Sequence, residues 1–347
     1  MEKYSADSRF LIVVTLLAVI VIVAFYLAAL WKFRQLRKRL YGELKDKNKT
    51  NRAGKLMGTD EGVWDKFLPR KLLDILGIGQ KEVLPEKFLE EQVELRAGIM
   101  NIDLAGFQAN IHRIDVKEVY RLINQVLACC IPFINKSEGS ITNFQNAGVT
   151  ALFTEDAEKG LNTAVSICEE MRKLPEKDKK YGQLAIGICY GNVMIGMVGH
   201  DERLSVLTLS SYTGLGRFLQ KKAPKYNARI LVSGSYLEQI PDFQKKYNCR
   251  FLGYIRMKNN NTVEKIYDVF DGDDTSVRNQ KRKTKRVFEE GIKLFLEESY
   301  REARLRFIEV LKTDRHDRAA MEYVLLCDQY AGETDNNNRE ICIEEYE

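Results

Sequence analysis

The stretch from Ile102 to Phe153 constrains the fold of this chain more than any other. It opens Ile102-Asp103-Leu104-Ala105-Gly106-Phe107 and closes on the run from Ile141 to Phe153, ITNFQNAGVTALF. Between them Val116, Val119, Tyr120, Leu122, Ile123, Val126 and Leu127 recur at three- and four-residue steps, the spacing of one apolar helix face. The unit reads as strand, helix and strand hairpin, with an acid at the end of the first strand. A helix with one apolar stripe must bury it against a partner layer, so this region is committed to a layered mixture of helices and sheet.

The flanks extend the pattern. A strand is expected near Glu94 to Asp103, and a helix over Ala157 to Leu174 from Leu161, Ala164, Val165, Ile167, Cys168 and Met171. Leu184 to Gly199 reads as a β-hairpin, with Gly191-Asn192 as its turn. Further strands are expected at Ala228 to Val232, Arg250 to Gly253 and Ile266 to Val269.

These segments resemble the catalytic domain of the class III nucleotide cyclases. Asp103 to Phe107 reproduce the end of that family's first strand. Ile141, Phe144 and Ala151-Leu152-Phe153 match its hairpin, while Leu184 to Gly199, Ser233 to Tyr236 and the last two strands match later parts. The resemblance runs in frame over residues 92 to 272. It implies an α+β fold with a ferredoxin-like βαββαβ core.

The resemblance also implies chemistry. Such enzymes convert a nucleoside triphosphate to a 3′,5′-cyclic monophosphate and pyrophosphate, using two metal ions (Mg2+ or Mn2+) on two Asp carboxylates. Hard divalent ions take oxygen ligands. The sites lie across a dimer interface, where an Asn orients the ribose, an Arg stabilises charge and a Lys/Asp pair reads adenine. Carried over by position, the first metal acid is Asp103 and the second falls on Ala147. Asn146 is one residue off and, on a strand, faces the other way. The orienting Asn falls on Gly214, the Arg on Phe218, the base-reading Lys on Asn143, and its Asp partner near Leu207. Gly106, Phe107 and Lys258 are the positions expected near a nucleotide, although the phosphate Lys itself aligns with Asn260. Asp103 has a competing structural reading, as the cap of the helix that follows.

The expected outcome is a catalytically degenerate domain that needs no cofactor and works as a homodimeric or heterodimeric regulatory module, with possible nucleotide binding. An active adenylate or guanylate cyclase with non-standard ligands is the alternative. A membrane-tethered interaction protein working through its helical tail is a third reading.

Residues 10–31 form a run of 22 without charge, long enough to cross a hydrocarbon core of ~30 Å. Lys32, Arg34, Arg37, Lys38 and Arg39 follow it. A signal peptide would have a shorter core with the basic residues ahead of it. The expectation is a single-pass inner-membrane anchor, residues 1–9 outside and the rest cytoplasmic. Residues 32–91 then form a basic juxtamembrane segment, a polar linker and a short amphipathic helix near Leu72, Leu73 and Leu76. Beyond the 92–272 domain a polar, basic linker (273–286) is expected, then a two-helix hairpin resembling a tetratricopeptide unit (287–330), then an acidic disordered tail (331–347). That tail unit reads as a cap on the domain, since a free array needs about three repeats.

The seven cysteines include no Cys-x-x-Cys pair, and His112, His200 and His316 are the only histidines, so no zinc constellation is present. Phosphate-cradling glycine loops and nucleic-acid signatures are also absent, and no nucleic-acid partner is expected.

Overall fold

The structure is a computed structural model that describes residues 70–77, 92–179, 181–200, 203–257, 262–332 and 342–346. The apolar run 10–31, its basic flank and Lys258 lie outside the described residues. Among the described residues no helix is long and apolar enough to cross a membrane.

After a short helix α1 (Arg70–Ile75), the core follows the order β1 (Gln92–Ala105), α2 (Val116–Lys136), β2 (Ser140–Gln145), β3 (Gly148–Phe153), α3 (Ala157–Arg172), β4 (Gln183–His200). In the sheet these strands lie in the order β2-β3-β1-β4, which is the split βαβ arrangement of the ferredoxin-like core. β5 (Arg203–Leu209) pairs with β4, and helix α4 (Ser211–Lys222) follows. β6 (Ile230–Ser233), β8 (Thr262–Val269) and β7 (Cys249–Met257) then extend the sheet from β4.

The helices begin where side chains satisfy free N–H groups. Asp115 accepts from Lys117 N–H at the start of α2, Asp156 from Glu158 and Lys159 N–H at the start of α3, and Ser210 from Tyr212 N–H at the start of α4. Two apolar cores result. One joins Met100, Ile102 and Leu104 of β1 to α2 and α3; the other joins Ala97 and Ile99 to α1, α4 and the C-terminal helices. The division follows from strand alternation.

Four expectations are corrected here. Leu184–Gly199 is not a hairpin. β4 runs unbroken for 18 residues, with Gly191 opposite Ala97 and Asn192 opposite Arg96. The 14 residues of β1 supply a partner along the whole length, and the continuous ladder overrides local turn propensity.

The expected linker 273–286 is mostly helix. Residues Thr275–Leu296 form one 22-residue helix, α5, followed by α6 (Tyr300–Thr313) and α7 (Arg318–Gly332), so the tail holds three helices and not a two-helix hairpin. The expected disordered tail contains β9 (Cys342–Tyr346), parallel to β7.

Helices α5 and α7 pack on β7, and α6 packs on both of them, as part of one compact unit, Leu68–Glu347. A buried charge cluster joins them to it. Arg250 on β7 is fully buried and bonds Asp268 on β8 at 3.1 Å and Asp317, just before α7, at 2.5 Å. Lys281 on α5 reaches Asp268 at 2.8 Å and Asp273 at 2.6 Å. The Arg250 guanidinium also lies 4.5 Å from the centre of the Phe288 ring, a cation–π contact.

Candidate functional site

The site predicted from sequence is a cleft where the end of β1 meets the β2–β3 turn and one face of α4. Ile102 lies opposite Val149, which brings the turn residues Asn146 and Ala147 beside Asp103. The approach is close: a Cβ on Gly148 would lie 1.8 Å from the Ile102 carbonyl oxygen, so only glycine fits there. Gly187 does the same for the helix. A Cβ on it would lie 2.1 Å from the Gly216 carbonyl oxygen, so its absence lets α4 rest on β4. That contact places Arg217, Gln220 and Lys221, at helical steps on one face, along the cleft wall.

Asp103 is half-buried at the cleft floor. Its Oδ1 accepts the Leu104 N–H at 2.8 Å, and the Asn146 side-chain amide donates to Oδ2 at 3.4 Å. The second contact corrects the expectation that Asn146 faces away. Asn146 lies in the turn with φ +54°, a left-handed conformation that asparagine tolerates, so strand alternation does not govern its direction. Burial raises the Asp103 carboxyl above its ordinary value, against the Leu104 N–H, the Asn146 amide, the Ala147 N–H and the Lys221 ammonium. Asp103 does not act as a helix cap. The one-turn helix Phe107–Asn110 starts at Gly106 with no side-chain cap, and α2 is capped by Asp115.

Of the other predicted positions, Ala147 lies beside Asp103 and supplies no ligand. Ala147 is fully buried and its methyl offers no ligand atom. Gly214 lies on α4, and Phe218 packs against the core around Leu215 and Leu219, with the Lys222 ammonium 5.2 Å from its ring centre. Asn143 is exposed on β2, and Leu207 is exposed on β5. Gly106 precedes the one-turn helix with φ +83°, while Phe107 is 1% exposed within the core and presents no side-chain surface to a ligand.

The structure adds residues that the sequence reading missed. Arg217, Gln220 and Lys221 line the cleft with Asn101 and Thr150. The Thr150 hydroxyl donates to Asn101 Oδ1 at 3.0 Å, and Asn101 Nδ2 is buried without a hydrogen-bond partner. The i, i+3, i+4 spacing of the three α4 residues was available in the sequence.

These residues do not fit a pair of divalent ions. Each such ion takes about six or more oxygen ligands, and the cleft offers one carboxylate beside an ammonium and a guanidinium. Among the described residues no group of three His, Cys, Asp or Glu side chains is placed to hold a metal. The positive groups on α4 suit an anion better. The cleft is about 40 Å³, far below the roughly 300 Å³ of a small-molecule pocket, so one chain by itself does not enclose a nucleotide.

No protein-family model matches the chain. It is similar to the terminal-differentiation-specific adenylate cyclase of Dictyostelium discoideum, at 23% identity over 276 residues, covering 78% of this chain and 13% of that protein. It is also similar to an adenylate cyclase of Anabaena cylindrica, at 21% identity over 219 residues, covering 59% of this chain and 42% of that one. The chain thus spans less than half the length of either relative. Among solved structures, a bacterial light-regulated adenylyl cyclase superposes with a TM-score of 0.53 at 18% identity, covering 70% of this chain and 67% of that one. That likeness speaks to the fold. The curated relatives point the same way, so the chain is similar to class III adenylyl/guanylyl cyclase catalytic domains in sequence and in fold.

Proposed function

We propose that this chain is a membrane-anchored member of the family whose cyclase domain is catalytically silent and serves as a dimerisation or regulatory module in cyclic-nucleotide signalling. The observation that carries the reading is Ala147, a buried methyl in the turn beside Asp103 where the second metal carboxylate belongs. The cationic residues Arg217 and Lys221 in the same cleft support it, since they oppose divalent ions.

Pairing with a second cyclase domain, of this chain or another, is supported by an exposed apolar strip. Met194 and Val198 on β4 share a face with Leu207 and Leu209 on β5, and each is 40–55% exposed. Contiguous apolar surface of this kind marks interaction sites. The uncharged run at 10–31, followed by its basic cluster, supports an inner-membrane anchor with the domain on the cytoplasmic side.

A second reading keeps activity. Asp103 survives with Asn146 in contact, and a partner chain could complete the cleft with Mg2+ or Mn2+. A cyclase assay on the full-length chain with ATP and GTP at saturating Mn2+, read by mass spectrometry, separates the two. The silent reading expects no cyclic nucleotide above a boiled control. Turnover that disappears in Asp103→Ala would overturn it.

A further inference from the structure

The sheet ends on one side at β2, and that edge is open. Among the described residues β2 pairs with β3 and with no other strand. Its outward N–H and C=O groups form a row available to a further strand. Such edges are ordinarily blunted by Lys, other charges or Pro. The six residues of β2, Ser-Ile-Thr-Asn-Phe-Gln, include none of these. Its one irregularity, a bulge between Ile141 and Asn143, sets Ile141 opposite Ala151 and Phe144 opposite Val149. Both partners belong to the core under α2, so Ile141 and Phe144 lie on the α2 face.

Helix α2 overhangs the same edge. It lies over β2 and β3, with α3 along the flank that carries Cys129 beside Glu170. Val116, Tyr120, Ile123 and Leu127 recur at steps of four, three and four on the other flank, toward β2. Ile123, Leu127 and Ile141 pack partly against the core. Val116, Tyr120 and Phe144 are 68%, 64% and 57% exposed, the three most exposed large apolar side chains described between residues 92 and 272. One exposed apolar side chain is ordinary; three beside one open edge mark an interaction site.

An extended strand suits this surface. It would fill the backbone row and lay alternate side chains into the apolar channel between β2 and α2. β2 itself is a strand of that kind. In antiparallel pairing, a twofold axis between Thr142 and Asn143 sets Ile141 opposite the partner's Phe144 and repeats the pair across the axis. Directly opposed side chains sit ~5 Å apart. Both pairs fall on the α2 face, and no like charges meet because β2 carries none.

We propose that two copies of this chain join edge to edge through β2, antiparallel about that axis, with Val116 and Tyr120 of each α2 closing over the joint. Its apolar side chains lie on the face of the sheet opposite Asp103 and apart from the β4–β5 strip. The joint is independent of whether the cleft is active.

The test is analytical ultracentrifugation of the full-length chain in detergent. Every chain carries Leu207→Lys, which charges the β4–β5 strip so that association elsewhere is read. This chain is expected to self-associate. Adding Phe144→Lys or Ile141→Glu should weaken association roughly tenfold or more. An equimolar mixture of those two variants should associate nearly as the unaltered edge does. In the mixture an introduced ammonium faces an introduced carboxylate, and the second pair is the native Ile141 and Phe144. A chain that stays monomeric with β2 intact overturns the proposal, while leaving the silent reading of the cleft untouched. Association unchanged by Phe144→Lys, or no recovery in the mixture, overturns it as well. If Ile141→Glu does not fold, Phe144→Lys and Tyr120→Lys, both at exposed positions, decide the question: both should weaken association, and no effect from either sinks the β2 joint.

Discussion

Two carboxylates, Asp103 in the cleft and Asp273 in the cluster beneath the C-terminal helices, are both raised by burial, and their surroundings differ in kind. The donors to Asp103 are neutral: the Leu104 and Ala147 N–H groups and a long contact from Asn146. Asp273 sits in a closed network in which Arg250 and Lys281 are shared among Asp268, Asp273 and Asp317. In the family frame the cleft is where charge should concentrate. In this chain the densest buried charge lies at the joint between sheet and tail. The cleft holds a single carboxylate, whereas the charges of the joint are paired nearly throughout.

The comparison breaks most easily at Arg250. Removing one partner from a buried network leaves uncompensated charge and costs about 3–5 kcal/mol. Arg250→Ala should lower the unfolding free energy by about that much in urea titration. A loss below ~1 kcal/mol would mean that the tail is not held by these charges.

A smaller effect separates the two acids by pH. Asp273 is pushed up to about 6 by burial, with Asp268 adding to the shift and Lys281 opposing it, from an ordinary 3.8. The folded state then holds this proton more tightly than the unfolded chain does. The group's contribution to stability therefore grows as pH falls from about 6 to about 4 and is lost as pH rises back through 6. Asp273→Asn should remove that gain, visible as a flatter melting temperature across the window. An unchanged pH profile would exclude Asp273 as its source.

The smallest effect is expected at Asp103. Asp103→Asn keeps an acceptor for the Leu104 N–H, caps no helix and should change stability by less than about 1 kcal/mol. A large loss on thermal melting would show that Asp103 holds the end of β1 as firmly as Arg250 holds β7.

Much of the fold was legible because amphipathic period is written locally. The steps from Val116 to Leu127 mark α2, and those from Leu161 to Met171 mark α3. Misreadings arose where a partner overrode a local signal. Gly191-Asn192 carries turn chemistry, yet β1 is long enough to hold it in an extended ladder. The basic run around Lys281 reads as solvated linker, yet Lys281 turns inward to two buried acids, Asp268 on β8 and Asp273. Strand alternation points Asn146 away from Asp103, yet the turn's left-handed backbone sends its amide to that carboxylate.

The sequence by itself determined which chemistry is missing. An alanine cannot ligate a metal and a phenylalanine cannot carry positive charge in any fold, so Ala147 and Phe218 limit the cleft before any coordinates are known. Only the tertiary structure decided what replaced it. The approach of α4 across Gly187 set Arg217 and Lys221 beside Asp103, and the packing of α5 and α7 on β7 gathered five charges into a buried joint. Contacts between residues distant in the chain depend on how elements pack, and no local pattern encodes them.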